Sequence, residues 1–234
     1  MFAFWLEAGQ VASRVQPGQF VNVRVGTGPD PLLRRPISVA DVAGEKILLV
    51  FRAVGRGTAL LARARKGDVF DLLGPLGRPA PRLRGQDLLV CGGGIGIAPL
   101  LHLARRNVEA NRVQVLLGAR TAAELVLAAD FRRLGVPVSF ATDDGSRGRR
   151  GPVTELVEPA ARAALRPVVM ACGPQAMLAD LVRRLDPVPV WGFIEERMGC
   201  GTGICYCCAL PRRGGGFVRF CQEGPVVLLN EVKL

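Results

Sequence analysis

Five of the chain's seven cysteines fall within its last thirty-five residues, spaced Cys200-x4-Cys205-x2-Cys208-x12-Cys221, with Cys207 inside the run. The four-residue and two-residue gaps match the plant-type pattern for a 2Fe–2S cluster. Each iron needs two thiolates, so three ligands close in sequence must wrap a compact inorganic core. Gly199, Gly201 and Gly203 let backbone N–H groups come near the sulfurs, where hydrogen bonds tune the potential. The competing reading is a structural zinc site. Zinc accepts four thiolates, but its usual spacing is two short C-x(2–4)-C knuckles, and a lone fourth cysteine far downstream fits that less well. Cys200, Cys205, Cys208 and Cys221 are therefore the expected metal ligands. Cys207 leaves the register of the third ligand open.

The 234 residues leave room for one large domain or two small ones ahead of this segment. Up to residue 83, short apolar runs alternate with turn signals: Gln19–Val25, Lys46–Arg52 and Asp68–Leu73, bounded by Pro17-Gly18, Gly44 and Gly74-Pro75. That rhythm predicts a small antiparallel barrel with one helix over 57–64. From 84 to 192 strands alternate with helices. Strands are expected at Asp87–Cys91, Arg112–Leu117, Val136–Phe140, Pro167–Ala171 and Pro187–Trp191, and helices over 122–134 and 175–185. This is the pattern of a doubly wound parallel sheet. The expected fold is thus β and α/β, in three regions: 1–83, 84–192 and 193–234.

Between the first strand and first helix of the sheet region lies Cys91-Gly-Gly-Gly-Ile-Gly-Ile-Ala-Pro99. A glycine turn there suits a dinucleotide pyrophosphate, because the backbone can approach it and the helix start supplies free N–H groups. The strict G-x-G-x-x-G is absent, and Pro99 stands where its last glycine would be; proline is tolerated in a first helical turn. A plain tight turn is the alternative. Two more loops, Ala141–Ser146 and Cys172–Met177, fall at strand ends of the same sheet, where such sheets bind ligands.

Composition narrows the rest. Lys+Arg 31 against Asp+Glu 20 gives +11, which raises nucleic acid as a partner. The arginines are spread along the whole chain, however, and aromatics make up 6%, so no basic–aromatic stacking surface is evident. No nucleic-acid partner is expected. No stretch is apolar enough for a membrane span, and Met1–Glu7 lacks the basic start of a signal peptide. A cytoplasmic location is expected, where clustered cysteines read as metal ligands rather than disulfides. The single histidine, His102, reads as a helix-face residue.

Taken together, Leu33-Arg-Arg-Pro-Ile-Ser38, Gly55-Arg-Gly-Thr58, Gly92-Gly-Gly-Ile-Gly96, Thr142-Asp-Asp-Gly-Ser146, Cys172-Gly-Pro174 and Met198-Gly-Cys-Gly-x-Gly-x-Cys205 resemble the ferredoxin reductase superfamily. The closer resemblance is to electron-transfer subunits of dihydroorotate dehydrogenase type B. It covers essentially the whole chain and implies an FAD barrel, an NAD(H) domain and a 2Fe–2S segment. It implies that Arg35, Pro36, Ile37, Ser38, Val50, Phe51, Arg52, Gly57 and Thr58 meet FAD. Arg35 would pair with the pyrophosphate, Ser38 would lie near flavin N5, and Thr58 would sit near an anion-suited helix start. Gly92, Gly93, Gly94, Gly96, Cys172, Gly173 and Pro174 would serve the nicotinamide cofactor. Catalysis would be the cofactors' own, with electrons running from NADH through FAD and the cluster to an FMN-containing catalytic subunit, in a heterotetramer of two plus two.

Two departures stand out. Relatives usually open with a fuller first strand before Pro17, so a barrel short by one strand or a misassigned start is expected. Cys207 replaces a small non-ligand residue. Two rival readings are a reductase subunit of a hydrogenase or of a ferredoxin–NAD(P) transhydrogenase, and a zinc- or cluster-stabilised nucleic-acid-binding regulator. The choice of NADH or NADPH is open: Arg120 could meet a 2′-phosphate, and no acidic ribose partner is evident beside it.

Overall fold

The computed structural model describes residues 1–26, 28 and 30–233; residues 27, 29 and 234, the last being the end of the expected third region, lie outside it. The N-terminal region contains β1 (Phe2–Glu7), α1 (Gly9–Ala12), β2 (Phe20–Val23), β3 (Arg35–Ala43), β4 (Lys46–Phe51), α2 (Arg56–Leu61) and β5 (Leu72–Leu76). The strands form one antiparallel sheet in the order β1-β4-β3-β2-β5. Phe2–Glu7 pairs in register with the whole of β4. The expected strand over 68–73 lies further along, at Leu72–Leu76.

β3 bends as it runs. Its first half pairs with β2 and its second with β4, with a register shift between Val39 and Asp41; such a bulge is how a sheet curls. Alternation then sorts the side chains. Val21, Val23, Ile37, Val39, Ile47, Leu49 and Phe51 enter the barrel core. Ala40, Leu48 and Val50 point the other way and pack on Ala98 of the next region. β4 therefore reads as an unbroken apolar run because both of its faces are covered.

The second region contains β6 (Asp87–Gly93), α3 (Leu100–Asn107), β7 (Arg112–Ala119), α4 (Ala128–Arg132), β8 (Val138–Thr142), β9 (Arg149–Arg150), α5 (Thr154–Ala163), β10 (Pro167–Cys172), α6 (Gln175–Leu185) and β11 (Val190–Phe193). The C-terminal segment adds a hairpin of β12 (Ala209–Pro211) and β13 (Phe217–Arg219), then β14 (Val226–Leu228). The large sheet runs β14-β11-β10-β6-β7-β8-β9, parallel throughout except for β14, which pairs antiparallel with β11. The chain thus returns after the cysteines to extend the sheet. α3 and α4 cover one face of the sheet, and α5 and α6 the other together with Cys208, Phe220 and Cys221. No helix among the described residues is long and apolar enough to cross a membrane.

Two helices differ from expectation. The stretch 122–134 is not continuous: a 3₁₀ turn at Ala122–Glu124 is followed by α4, with Leu127 between them in the left-handed region at φ 56°. The break lets both Leu125 and Phe131 reach the core. α5 has no counterpart among the expected helices. It carries Pro159 in its interior, a residue that normally argues against a helix, yet Val157 and Ala161 bury one face of it.

The barrel and the sheet region are tied by a bidentate ion pair. Arg105 on α3 donates from Nη2 and Nε to the Asp41 carboxylate at 2.7 to 3.1 Å. His102, one turn earlier, is buried beside it with Nδ1 unpartnered. Burial lowers its pKa to about 4; the Asp41 charge opposes this, and Arg106 and Arg105 add to it.

Candidate functional site

A cavity of about 380 Å³ opens where the three regions meet. Of the residues expected to meet a flavin, Pro36, Ile37, Ser38, Val50, Phe51, Arg52 and Thr58 line it. β3 and β4 bring them together. Arg35 and Gly57 lie against each other: the guanidinium crosses the start of α2 over Gly57, where a Cβ would make it move aside. Arg35 Nη1 donates to the Leu33 carbonyl, which orients the fork. Thr58 turns back on its own turn, its Oγ1 accepting from Val54 N–H at 3.0 Å and Gly55 N–H at 3.2 Å. Those two donors are spent on capping, so they are not free for an anion.

The sheet region supplies Ile95, Ala98 and Pro99, and the strand end after β11 supplies Ile194, Glu195, Glu196 and Met198. Glu195 and Glu196 are adjacent acidic residues with no motif around them that marks a site. In the fold both stand on the cavity wall at the carboxyl end of a parallel strand, and that position was the available signal. Burial raises the Glu195 carboxyl above the usual range, and the Arg52 charge pulls it back. Arg52 also faces Glu124 at 3.5 Å, and Glu124 accepts from Arg120 Nη2 at 2.5 Å. Glu124 is the acidic neighbour of Arg120 that sequence reasoning missed.

The glycine turn and the Cys172-Gly-Pro174 loop meet at the ends of adjacent strands, with Gly92 opposite Cys172. A Cβ on Gly96 would lie 2.5 Å from the Cys172 carbonyl oxygen. One on Gly93 would lie 2.6 Å from Met177 Sδ, and one on Gly173 2.5 Å from Met177 Cε. Gly94 differs, with φ 58° and only Arg52 Nη2 within reach, at 3.5 Å. A 3₁₀ turn, Gly94–Ile97, follows, and α3 starts after Pro99. Cys172 is buried, and burial followed by the nearby Glu195 raises its pKa well above the ordinary thiol value.

The cysteines form two pairs. Cys200 N–H donates to Cys205 Sγ at 3.4 Å, and Cys205 N–H donates back to Cys200 Sγ at 3.5 Å. Cys221 N–H donates to Cys208 Sγ at 3.4 Å. Thr202 N–H reaches Cys200 Sγ at 3.3 Å, and Gly203 N–H reaches Cys221 Sγ at 3.1 Å. Gly201 and Gly203 have φ of 74° and 85°, which turns these amides inward. Burial opposes ionisation of Cys200, yet the amides of Cys205 and Thr202 outweigh it and lower its pKa to about 5. Burial and then the Cys208 thiol push Cys221 up to about 12. Cys208 is buried, whereas Cys207 is exposed and no N–H among the described residues points to its sulfur. Arg219 closes the loop from outside. It donates from Nη1 to the Gly203 carbonyl at 3.0 Å and from Nε to Glu223 at 3.0 Å, with its guanidinium 5.1 Å from the Tyr206 ring centre. Four thiols in two pairs, ringed by amide donors, suit a two-iron core in which each iron takes two thiolates.

Residues 195–233 match the profile of the iron-sulfur cluster binding domain of dihydroorotate dehydrogenase B. The chain is 41% identical over 227 residues to the dihydroorotate dehydrogenase B (NAD(+)) electron transfer subunit of Bacillus caldolyticus, covering 94% of this chain and 87% of that one. It is 41% identical over 238 residues to the subunit of the same name from Shouchella clausii, covering 98% and 91%. Among solved structures, an NADH-dependent reduced ferredoxin-NADP oxidoreductase superposes with a TM-score of 0.89 at 31% identity, over 99% of this chain and 84% of that one. A Neisseria gonorrhoeae ferredoxin NADP+ reductase with bound FAD and NADP shares the fold, with a TM-score of 0.62 at 20% identity over 78% and 83%. The chain belongs to the family of dihydroorotate dehydrogenase B electron transfer subunits.

Proposed function

We propose that this chain carries electrons between the catalytic subunit of dihydroorotate dehydrogenase B and NAD(H), through FAD and a 2Fe–2S cluster. The observation that carries the reading is the single cavity walled by β3 and β4 of the barrel, the glycine turn of the sheet and the strand end leading to the cysteines. Bound FAD exchanges electrons in pairs with a nicotinamide and singly with an iron–sulfur cluster, and this two-for-one conversion is the chemistry the groups supply. The relatives' name pairs dihydroorotate dehydrogenation with NAD(+), so in that direction two electrons and a proton pass from dihydroorotate to NAD+. The route from NADH toward the partner is the same relay run in reverse.

The residues divide the work. Arg35, Pro36, Ile37, Ser38, Val50, Phe51, Arg52, Gly57 and Thr58 hold FAD on the barrel, residues 1–83. Arg35 offers a planar fork to the pyrophosphate. Gly92, Gly93, Gly94, Gly96, Cys172, Gly173 and Pro174 shape the nicotinamide cofactor's site on residues 84–192. Cys200, Cys205, Cys208 and Cys221 ligate the cluster on residues 193–234, and Cys207 does not. The partner bears FMN and the dihydroorotate site, in a heterotetramer of two plus two. The positive charge serves anionic cofactors rather than nucleic acid. Many arginines are already taken up in ion pairs dispersed over the surface, among them Arg34–Asp71, Arg112–Asp87 and Arg149–Glu155.

A second reading, a subunit of a ferredoxin–NADP oxidoreductase, draws on the 0.89 TM-score, though at 31% identity against 41% for the dihydroorotate dehydrogenase relatives. Anaerobic purification with an absorption spectrum and metal analysis tests the cofactor content. One FAD with about two iron and two sulfide per chain is expected; a colourless, zinc-loaded protein contradicts it.

A further inference from the structure

β2 buries all four of its residues, and three of them are apolar. The fourth, Asn22, is 1% exposed. Side chains alternate along a strand, so Val21 and Val23 enter the barrel core while Asn22 shares the opposite face with Phe20. That face meets the C-terminal segment: Phe20 lines the cavity and packs in one cluster with Cys208, Phe220 and Cys221. Asn22 Nδ2 donates to the Cys200 carbonyl at 3.2 Å, across 178 residues of chain. Its Oδ1 is buried with no partner. For stability alone this is a poor choice of residue, because a leucine of similar shape would remove an unpaired buried oxygen. The one bond Asn22 does make is to the residue that opens the cluster loop.

That bond acts on a whole peptide plane. The Cys200 carbonyl belongs to the Cys200–Gly201 unit, and a planar peptide held at its oxygen is held entire. The loop also runs in contact with the side chain, since a Cβ on Gly201 would overlap Asn22 Nδ2. The next amides, of Thr202 and Gly203, are the ones that reach Cys200 Sγ and Cys221 Sγ. We infer that Asn22 is a positioning residue for the cluster: from the flavin barrel it clamps the Cys200–Gly201 peptide and keeps the following amides aimed at the thiolates. The inference rests on the reading of the four cysteines as 2Fe–2S ligands.

The test compares the full wild-type chain with Asn22→Leu, both purified anaerobically. Four quantities are read: FAD content, thermal midpoint, the rate of iron release to a ferrous chelator, and the electron paramagnetic resonance signal after dithionite reduction. Asn22→Leu should keep its FAD and melt at or above the wild-type temperature. Its iron should leave about tenfold faster, the low end of what loss of an outer-shell partner costs a metal site, and its resonance should broaden or shift. Iron release within about twofold of wild type overturns the inference, because such a partner then has no hold on the site. FAD, melting temperature and cluster falling together also overturn it, since Asn22 is then an ordinary packing residue. If the leucine variant does not fold, Asn22→Ala carries the same comparison: FAD retained with a labile cluster supports the inference, and an intact cluster overturns it. A wild-type chain without iron defeats the 2Fe–2S reading itself, whereas a stable cluster in both proteins defeats the role of Asn22 alone.

Discussion

The glycine turn at residues 92–99 and the cysteine loop at residues 199–208 are both glycine-rich, yet glycine serves them in different ways. In the turn Gly93 and Gly96, with Gly173 of the facing loop, give up side-chain volume to Met177 and the Cys172 carbonyl, so two strand ends can close on each other. In the cysteine loop, Gly201 and Gly203 adopt φ values near +80°, and the amides of Thr202 and Gly203 point at sulfur. The turn is held by close packing on a buried sheet. The loop is held by hydrogen bonds to sulfur and by two outside anchors, Asn22 and Arg219. The difference teaches where each site is vulnerable: the turn to added volume, the loop to lost ligands and donors.

The largest effect should come from the ligands. Cys208→Ser should lose or badly weaken the cluster, while Cys207→Ser should keep it, as read from the resonance of each reduced variant. An intact signal in the first with a lost one in the second would reverse the assignment. Glycine substitutions sharpen the contrast next. Gly96→Ala places a Cβ against backbone, and overpacking of this kind costs about 1–3 kcal/mol, visible in urea unfolding. Gly201→Ala should leave the urea midpoint of the flavin-bearing fold near that of wild type and lose iron instead. Equal urea midpoints for the two variants would erase the distinction between the regions.

Charge comes third. Arg219→Gln removes a cation beside the Cys221 end of the loop, so the reduced cluster loses electrostatic support. Its midpoint potential should fall by an amount on the order of tens of millivolts, while Arg219→Lys should recover part of the shift. An unchanged potential in Arg219→Gln would leave Arg219 a purely mechanical anchor. The last effect, absent at neutral pH, concerns His102. With its pKa lowered by burial to about 4 against an ordinary 6.5, the unfolded chain binds the extra proton between those values. Stability is therefore full above pH 6.5 and falls toward pH 4, by up to about 1.4 kcal/mol per pH unit from this group. His102→Leu should flatten that part of the profile in denaturant titrations at several pH values.

What could be read in the sequence followed from locality. Three of the four cysteines proposed as cluster ligands lie within nine residues, so their spacing by itself points to a metal centre. The α6 helix, Gln175–Leu185, was legible at both ends because a glycine-proline turn precedes its amphipathic run and Asp186-Pro187 follows. α4 was not, because tertiary burial of Leu125 and Phe131 broke a stretch whose local propensity favours one helix. α5 was hidden by Pro159. Asn22 carried no local signal at all: an asparagine among valines says nothing until the fold sets it under Cys200. Glu124 stood four residues from Arg120, a pairing the sequence could have offered, but its link to Arg52 spans 72 residues and was hidden. The strand that closes the large sheet after the cysteines, Val226–Leu228, is three residues long and gains its meaning only from β11 beside it.

The central claim is that this chain holds a complete relay but no dihydroorotate chemistry of its own. The most direct measurement assays the isolated chain and then adds an FMN-bearing dihydroorotate dehydrogenase B catalytic subunit. Alone, the chain should oxidise NADH with an artificial acceptor and leave dihydroorotate untouched; with the partner, dihydroorotate should reduce NAD+, and Cys208→Ser should abolish that coupling while NADH oxidation by the artificial acceptor persists. Turnover of dihydroorotate by the isolated chain, or undiminished coupling in Cys208→Ser, would contradict the account.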